Sequence, residues 1–141
     1  MTSQTKVLHV EDSPDDVLLL ELAFNKAGIT AKLEAATDGD QAIAALQRNA
    51  GSQPPNCVLL DLKLPGISGL EVLEWIRQHP KLKRLPVIIL TSSLLPEDIR
   101  TAYDLGANSY LSKPPDLATL TALVKAVDQY WLHTNVPAAA P

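Results

Sequence analysis

"NCVLLDLKLPGISGLEVL", residues 56–73, carries the reading on which the fold turns. Cys57 to Leu60 form a short apolar run that stops at an acid, Asp61, with Lys63 two places further on. Such a run suits a strand covered on both faces, as in a parallel sheet. Ser68 and Glu71 then stand at capping-box spacing, ahead of Leu70, Leu73 and Ile76 on one helical face. Asp favours turns and helix starts, which would explain Asp61 without any chemistry. The other strand ends decide between that and a chemical role.

Working outward, apolar runs recur at "KVLHV" (6–10) and "PVIIL" (86–90), with weaker ones at "AKLEAA" (31–36) and "NSYLS" (108–112). Helical spacing fills the gaps. In "SPDDVLLLELAFNKAG" Ser13 is placed to cap, Pro14 to open, two acids to fill the first turn and Gly28 to stop the helix. "DGDQAIAALQRN" and "PEDIRTAYDLG" supply two more helices. "DLATLTALVKAVDQYWL" aligns Leu117, Leu120, Val124, Val127 and Trp131 along one stripe, leaving Tyr130 and Leu132 off it. Strand and helix alternate five times, which predicts an α/β domain with a doubly wound five-stranded parallel sheet and helices on both faces.

A chain of 141 residues is the size of one domain. With 46% hydrophobic and 20% charged residues it has the composition of a soluble globular protein. No apolar run approaches bilayer length, and no signal-peptide pattern opens the chain. A lone cysteine, Cys57, rules out an internal disulfide and reads as a small buried apolar residue. The single cysteine fits a reducing cytoplasm. A net charge of −4, with twelve Lys and Arg scattered without a cluster, disfavours direct nucleic-acid binding. Three scattered histidines and one cysteine offer no zinc set. His9, inside the first run, reads as a core histidine and Trp75 as a flank of the third helix's core face. The segment 133–141, small and Pro-rich, is expected to be disordered.

Open α/β sheets bind ligands beyond the carboxyl ends of their strands. Those ends hold Glu11 and Asp12, then Asp61, then Thr91, Ser92 and Ser93, and finally Lys113. Taken singly, each is a loop acid, a helix cap or a surface lysine. Together they place three carboxylates, hydroxyls and one ammonium on one edge. Close carboxylates repel unless protons or a cation compensate. A hard divalent ion suits oxygen ligands, and Mg²⁺ is the usual one beside phosphate. Asp61 is then the natural nucleophile for a phosphoryl group, with Lys113 and Thr91 meeting its other oxygens.

With the motifs "VEDS" (10–13), "LLDLKLPGISGLEVL" (59–73), "PVIILTSS" (86–93) and "GANSYLSKP" (106–114), the chain resembles the receiver domain of two-component response regulators over residues 5–132. The resemblance implies a flavodoxin-like sheet, Asp61 as phospho-acceptor, Asp12 as a direct metal ligand and Glu11 acting largely through water. It assigns the backbone carbonyl of Lys63 to the same Mg²⁺, Thr91 and Lys113 to the phosphoryl group, and Tyr110 to a switch that follows Thr91. It further implies a cis peptide bond between Lys113 and Pro114. The partners implied are a sensor histidine kinase, of phytochrome type by "VEDSPDDVLLLELAF" and the extended last helix, or a histidine phosphotransfer protein. A homodimer through the last strand and helix is a further expectation. The remaining residues are too few for an output domain, so a stand-alone regulator with no turnover of an external substrate is expected.

Three rivals share parts of this pattern. A flavodoxin-like FMN carrier needs a phosphate-binding turn where this chain has "EDSPDD". A haloacid dehalogenase-type phosphatase wants a second acid where Lys63 stands. A degenerate receiver acting as a passive binding module is disfavoured because the acidic, hydroxyl and lysine positions are all filled.

Overall fold

The computed structural model describes residues 5–138. Five strands, β1 (Lys6–Val10), β2 (Lys32–Ala36), β3 (Cys57–Leu60), β4 (Val87–Thr91) and β5 (Ser109–Ser112), form one sheet in the order β2-β1-β3-β4-β5. Every pairing is parallel, with Val10 level with Leu60 and Thr91 level with Ser112. The connections are α1 (Pro14–Ala27), α2 (Gly39–Asn49), α3 (Gly69–Gln78) and α4 (Pro96–Asp104), and α5 (Leu117–Val127) follows β5.

Strand side chains alternate between the two faces, and each face is covered by its own helices. Leu8, Val10, Val58, Leu60, Val87 and Ile89 meet Leu46 of α2, Leu73 and Ile76 of α3 and Ala102 of α4. Val7, Cys57, Leu59, Ile88 and Leu90 meet Leu20 and Phe24 of α1 with Leu120, Val124 and Val127 of α5. Trp75 packs on the first of these layers. The helix signals act as read: Ser13 caps α1, Gly28 stops it at φ 72°, and Ser68 and Glu71 close a capping box on α3. Each cap satisfies backbone N–H groups that the first turn cannot.

Past α5 the sequence reading needs correction. Asp128–Thr134 winds as a π-helix, whose i→i+5 bonding holds more residues per turn than α. The changed register brings both Trp131 and Leu132 against the α1–α5 core, and Tyr130 stays half exposed at 51%. The expected disordered segment 133–141 is thus helical to Thr134, closed by the Asn135 N–H donating to the Tyr130 carbonyl at 2.6 Å. Residues 139–141 lie outside the described residues. Lys81, Lys83 and Arg84 also stand exposed together before β4, a small basic cluster that the sequence reading passed over. Among the described residues no helix is long and apolar enough to cross a membrane.

Candidate functional site

The sheet itself places the acids. All strands are parallel, so their carboxyl ends share one edge, and the strand order reverses between β1 and β3. Backbone bonding continues one residue past each strand. Glu11 N–H donates to Ala36 O (2.9 Å), Asp61 N–H to Val10 O (3.1 Å) and Lys113 N–H to Thr91 O (2.9 Å). Three site residues are therefore fixed by the ladder rather than by mobile loops. The Asp61 turn is closed by Gly69 N–H donating to Leu62 O at 3.0 Å. A Cβ on Gly69 would fall 2.1 Å from the Asp61 carbonyl oxygen, so the residue there must be glycine.

Lys113 bridges the cluster. Its Nζ lies 2.5 Å from Glu11 Oε1, 2.8 Å from Asp61 Oδ2 and 2.9 Å from Asp16 Oδ2. Two of these contacts, to Asp61 and Asp16, are hydrogen bonds from the ammonium, and the third, to Glu11, is a charge contact without hydrogen-bond alignment. The other Asp61 oxygen, Oδ1, accepts the Lys63 N–H at 3.3 Å, and Glu11 Oε2 accepts that of Ser13 at 3.2 Å. Glu11 and Asp61 are buried while Asp12 is exposed at the mouth. One oxygen from each of these three carboxylates lies within 4.8 Å of the others.

Burial and charge oppose each other here. Burial alone would push the Asp61 carboxyl up, but contacts with Lys113, Thr91 and the Lys63 N–H outweigh it and hold the group below its ordinary value. At Glu11 burial wins over Lys113 and the carboxyl is pushed up. Burial likewise works against the Lys113 charge, yet Asp61, Glu11 and Asp16 raise its pKa overall. The contacts around Asp61 thus favour its ionised form. The set of oxygen donors, acidic in excess and close together, fits a hard divalent cation held by Glu11, Asp12 and Asp61.

Thr91 is fully buried and its hydroxyl makes no well-aligned hydrogen bond, although it is near enough to Asp61 to favour the carboxylate. A buried hydroxyl in that condition marks a site where a further acceptor belongs. Tyr110 donates from its hydroxyl to the Ser93 carbonyl at 2.7 Å, and Ser93 Oγ donates to Asp98 Oδ2 at 2.5 Å. The aromatic of β5 is in this way tied to the loop that Thr91 opens.

The structure brings together Glu11, Asp12, Asp61, Lys63, Thr91 and Lys113 as the sequence led one to expect. Glu11 is 1% exposed and lies directly against Lys113. The structure departs from the expectation at one point. The Lys113–Pro114 bond is trans, the form favoured before proline by about 0.5–1 kcal/mol, and Lys113 reaches Asp61 from it. Asp16 was missed as a partner of Lys113. Its position among the first-turn acids of α1 explains it fully as a dipole residue, and only the fold shows its second contact.

Comparison with known proteins agrees with this geometry. Residues 7–125 match the family model of the response regulator receiver domain. The response regulator Rcp1 of Synechocystis sp. is 40% identical over 137 residues, covering 94% of this chain and 93% of that protein. The crystal structure of the Mn²⁺-bound form of Rcp1 superimposes with a TM-score of 0.83 at 38% identity, covering 96% of this chain and 99% of that one. That of the phosphorylated cyanobacterial phytochrome response regulator RcpA reaches 0.88 at 34% identity, covering 97% of this chain and 100% of that one. With acids, hydroxyl and lysine gathered at the switch point of a five-stranded parallel sheet, this chain belongs to the response regulator receiver family.

Proposed function

We propose that Asp61 accepts a phosphoryl group from a phosphohistidine on a sensor kinase or phosphotransfer protein, in a reaction that requires a divalent cation, Mg²⁺ being the one expected. The observation that carries this reading is a buried aspartate kept ionised between a lysine and an unpartnered hydroxyl. One Asp61 oxygen attacks phosphorus, the P–N bond breaks, and its electron pair stays on the donor's imidazole. Lys113 leaves Asp61 to meet one phosphoryl oxygen and Thr91 donates to a second. Glu11, Asp12, Asp61 and the Lys63 carbonyl would hold the cation, which neutralises charge on the transferring group. Thr91 and Tyr110 then carry the change to the loop of Ser93.

The signal then passes on through contacts with other proteins. Leu18 and Leu22, exposed at 55% and 45% one turn apart on α1, offer an apolar pair that would suit a helical kinase surface. The phytochrome relatives point to a kinase of that kind. A second copy is the expected partner for exposed Tyr130, whose ring meets Trp131 edge-on at 5.0 Å between centroids.

The test is labelling with acetyl phosphate, with and without Mg²⁺, read by intact mass. Wild type is expected to gain one phosphoryl group only with the cation, and Asp61→Asn none while keeping the native circular dichroism. A label that persists in Asp61→Asn overturns the assignment.

A further inference from the structure

Below Lys113, on the α1–α5 side of the sheet, lies a cavity of about 30 Å³. Its polar wall is Glu11, Asp16 and Lys113, and the rest of the lining is apolar, Pro114 with Leu19, Leu20, Leu90 and Leu120. His9 lines it too. That residue sits two places before Glu11 on β1, so both side chains face the same side. His9 is 3% exposed, and its Nδ1 has no hydrogen-bond partner in the protein.

An imidazole nitrogen buried without a partner costs free energy, and native structures satisfy nearly all such atoms. A space of roughly 10–15 Å³ admits one water, provided two to four polar partners surround it. This cavity is large enough and offers the imidazole, two carboxylates and an ammonium. Apolar cavities stay dry, but one with this polar wall does not.

We propose that His9 is a positioning residue for Lys113, acting through an ordered water held in this cavity. In the resting state Lys113 donates to Asp61 and Asp16 and pairs by charge with Glu11, whose Oε1 has no well-aligned hydrogen bond. The water then donates to His9 Nδ1 and to a carboxylate, with its lone pairs turned toward the lysine. When Glu11 and Asp61 are drawn toward a cation and a phosphoryl group, Lys113 loses two of its partners. The water offers it a replacement, which lowers the cost of moving the lysine onto the phosphoryl oxygen. The proposal rests on Lys113 being the phosphoryl-contacting residue described above.

The test uses the full chain in three variants. His9→Leu removes the acceptor, His9→Gln keeps one, and Leu19→Phe fills the cavity while leaving His9 in place. Metal-free, unphosphorylated protein is examined first, by water-to-methyl magnetisation transfer at Leu19 and Leu120. A long-lived water is expected in wild type and His9→Gln, and its absence from wild type overturns the proposal. Acetyl phosphate labelling at fixed Mg²⁺ is measured second. His9→Leu and Leu19→Phe are expected to label roughly threefold to tenfold more slowly, the scale of one hydrogen bond, with His9→Gln restoring the rate. Unchanged labelling in both slow candidates also overturns it. If no protein labels, wild type included, the receiver chemistry has failed, while the water measurement still decides whether His9 holds one. Should His9→Leu not fold, Leu19→Phe and His9→Gln carry the comparison.

Discussion

Lys113 Nζ stands 2.8 Å from Asp61 Oδ2 across the sheet edge, so the ammonium already engages the carboxylate that the proposed phosphoryl transfer would use. The same ammonium also lies against Glu11 and Asp16. A cation held by Glu11, Asp12 and Asp61 would therefore compete with the lysine for shared carboxylates.

Replacing that lysine tests the competition. Lys113→Met leaves buried acids unpaired, and the metal-free protein is expected to lose roughly 2–4 kcal/mol, a little under a fully buried pair because the lysine is partly exposed. Mg²⁺ is expected to raise the melting temperature of Lys113→Met by more than it raises that of wild type. Asp12→Ala should behave oppositely, with little change when metal-free and a weaker response to Mg²⁺. Thermal melts across a Mg²⁺ titration check both, and equal Mg²⁺ responses in wild type and Lys113→Met would contradict the competition.

Thr91 has a hydroxyl free to engage a phosphoryl oxygen, and Tyr110 is tethered to the loop that follows it. Thr91→Ala is expected to keep labelling at Asp61 and to lose the shift in partner binding that phosphorylation brings. Kinase or self-association measured before and after labelling checks this. A phosphorylated Thr91→Ala that binds as phosphorylated wild type does would assign the switch elsewhere.

Gly69 admits no side chain, since its Cβ would meet the Asp61 carbonyl oxygen and lie 2.7 Å from Leu62 Cα. Both neighbours are backbone and cannot rotate away. Gly69→Ala is expected to cost at least about 1–3 kcal/mol and to slow labelling, because relief displaces the Asp61 turn. Urea unfolding and acetyl phosphate labelling together check it, and wild-type values in both would show that the turn yields freely.

Cys57 is fully buried in β3, and burial pushes its thiol from the ordinary 9.0 up to about 12. The native thiolate fraction is then roughly a thousandfold below that of a free thiol near neutral pH. Ellman's reagent is expected to modify Cys57 only as fast as the chain opens, with full reactivity in denaturant. Rapid modification of the native protein at pH 8 would show the β3 core to be open.

The sequence by itself determined the elements and the fold. Val- and Leu-rich runs such as Cys57–Leu60 have no stable place except a strand covered on both faces, and Ser13, Gly28, Ser68 and Glu71 act through bonds to their own neighbours in the chain. It also determined the acceptor edge, because parallel strands must end together and "EDS", "LLD", "TSS" and "SKP" are the residues at those ends. Local signals of this kind need no knowledge of what lies across the molecule.

Tertiary structure alone decided the rest. Asp16 and Lys113 are 97 residues apart in sequence, and their pairing exists only because α1 begins beside the end of β5. The burial of Glu11 and the π-helical turn that seats Leu132 both depend on how neighbouring layers close. So does the cavity at His9, whose polar and apolar lining comes from β1, β4, α1, α5 and the stretch leading into α5. Spacing along the chain carries periodicity and capping, whereas desolvation and ion pairing are set by what the fold brings within a few ångströms.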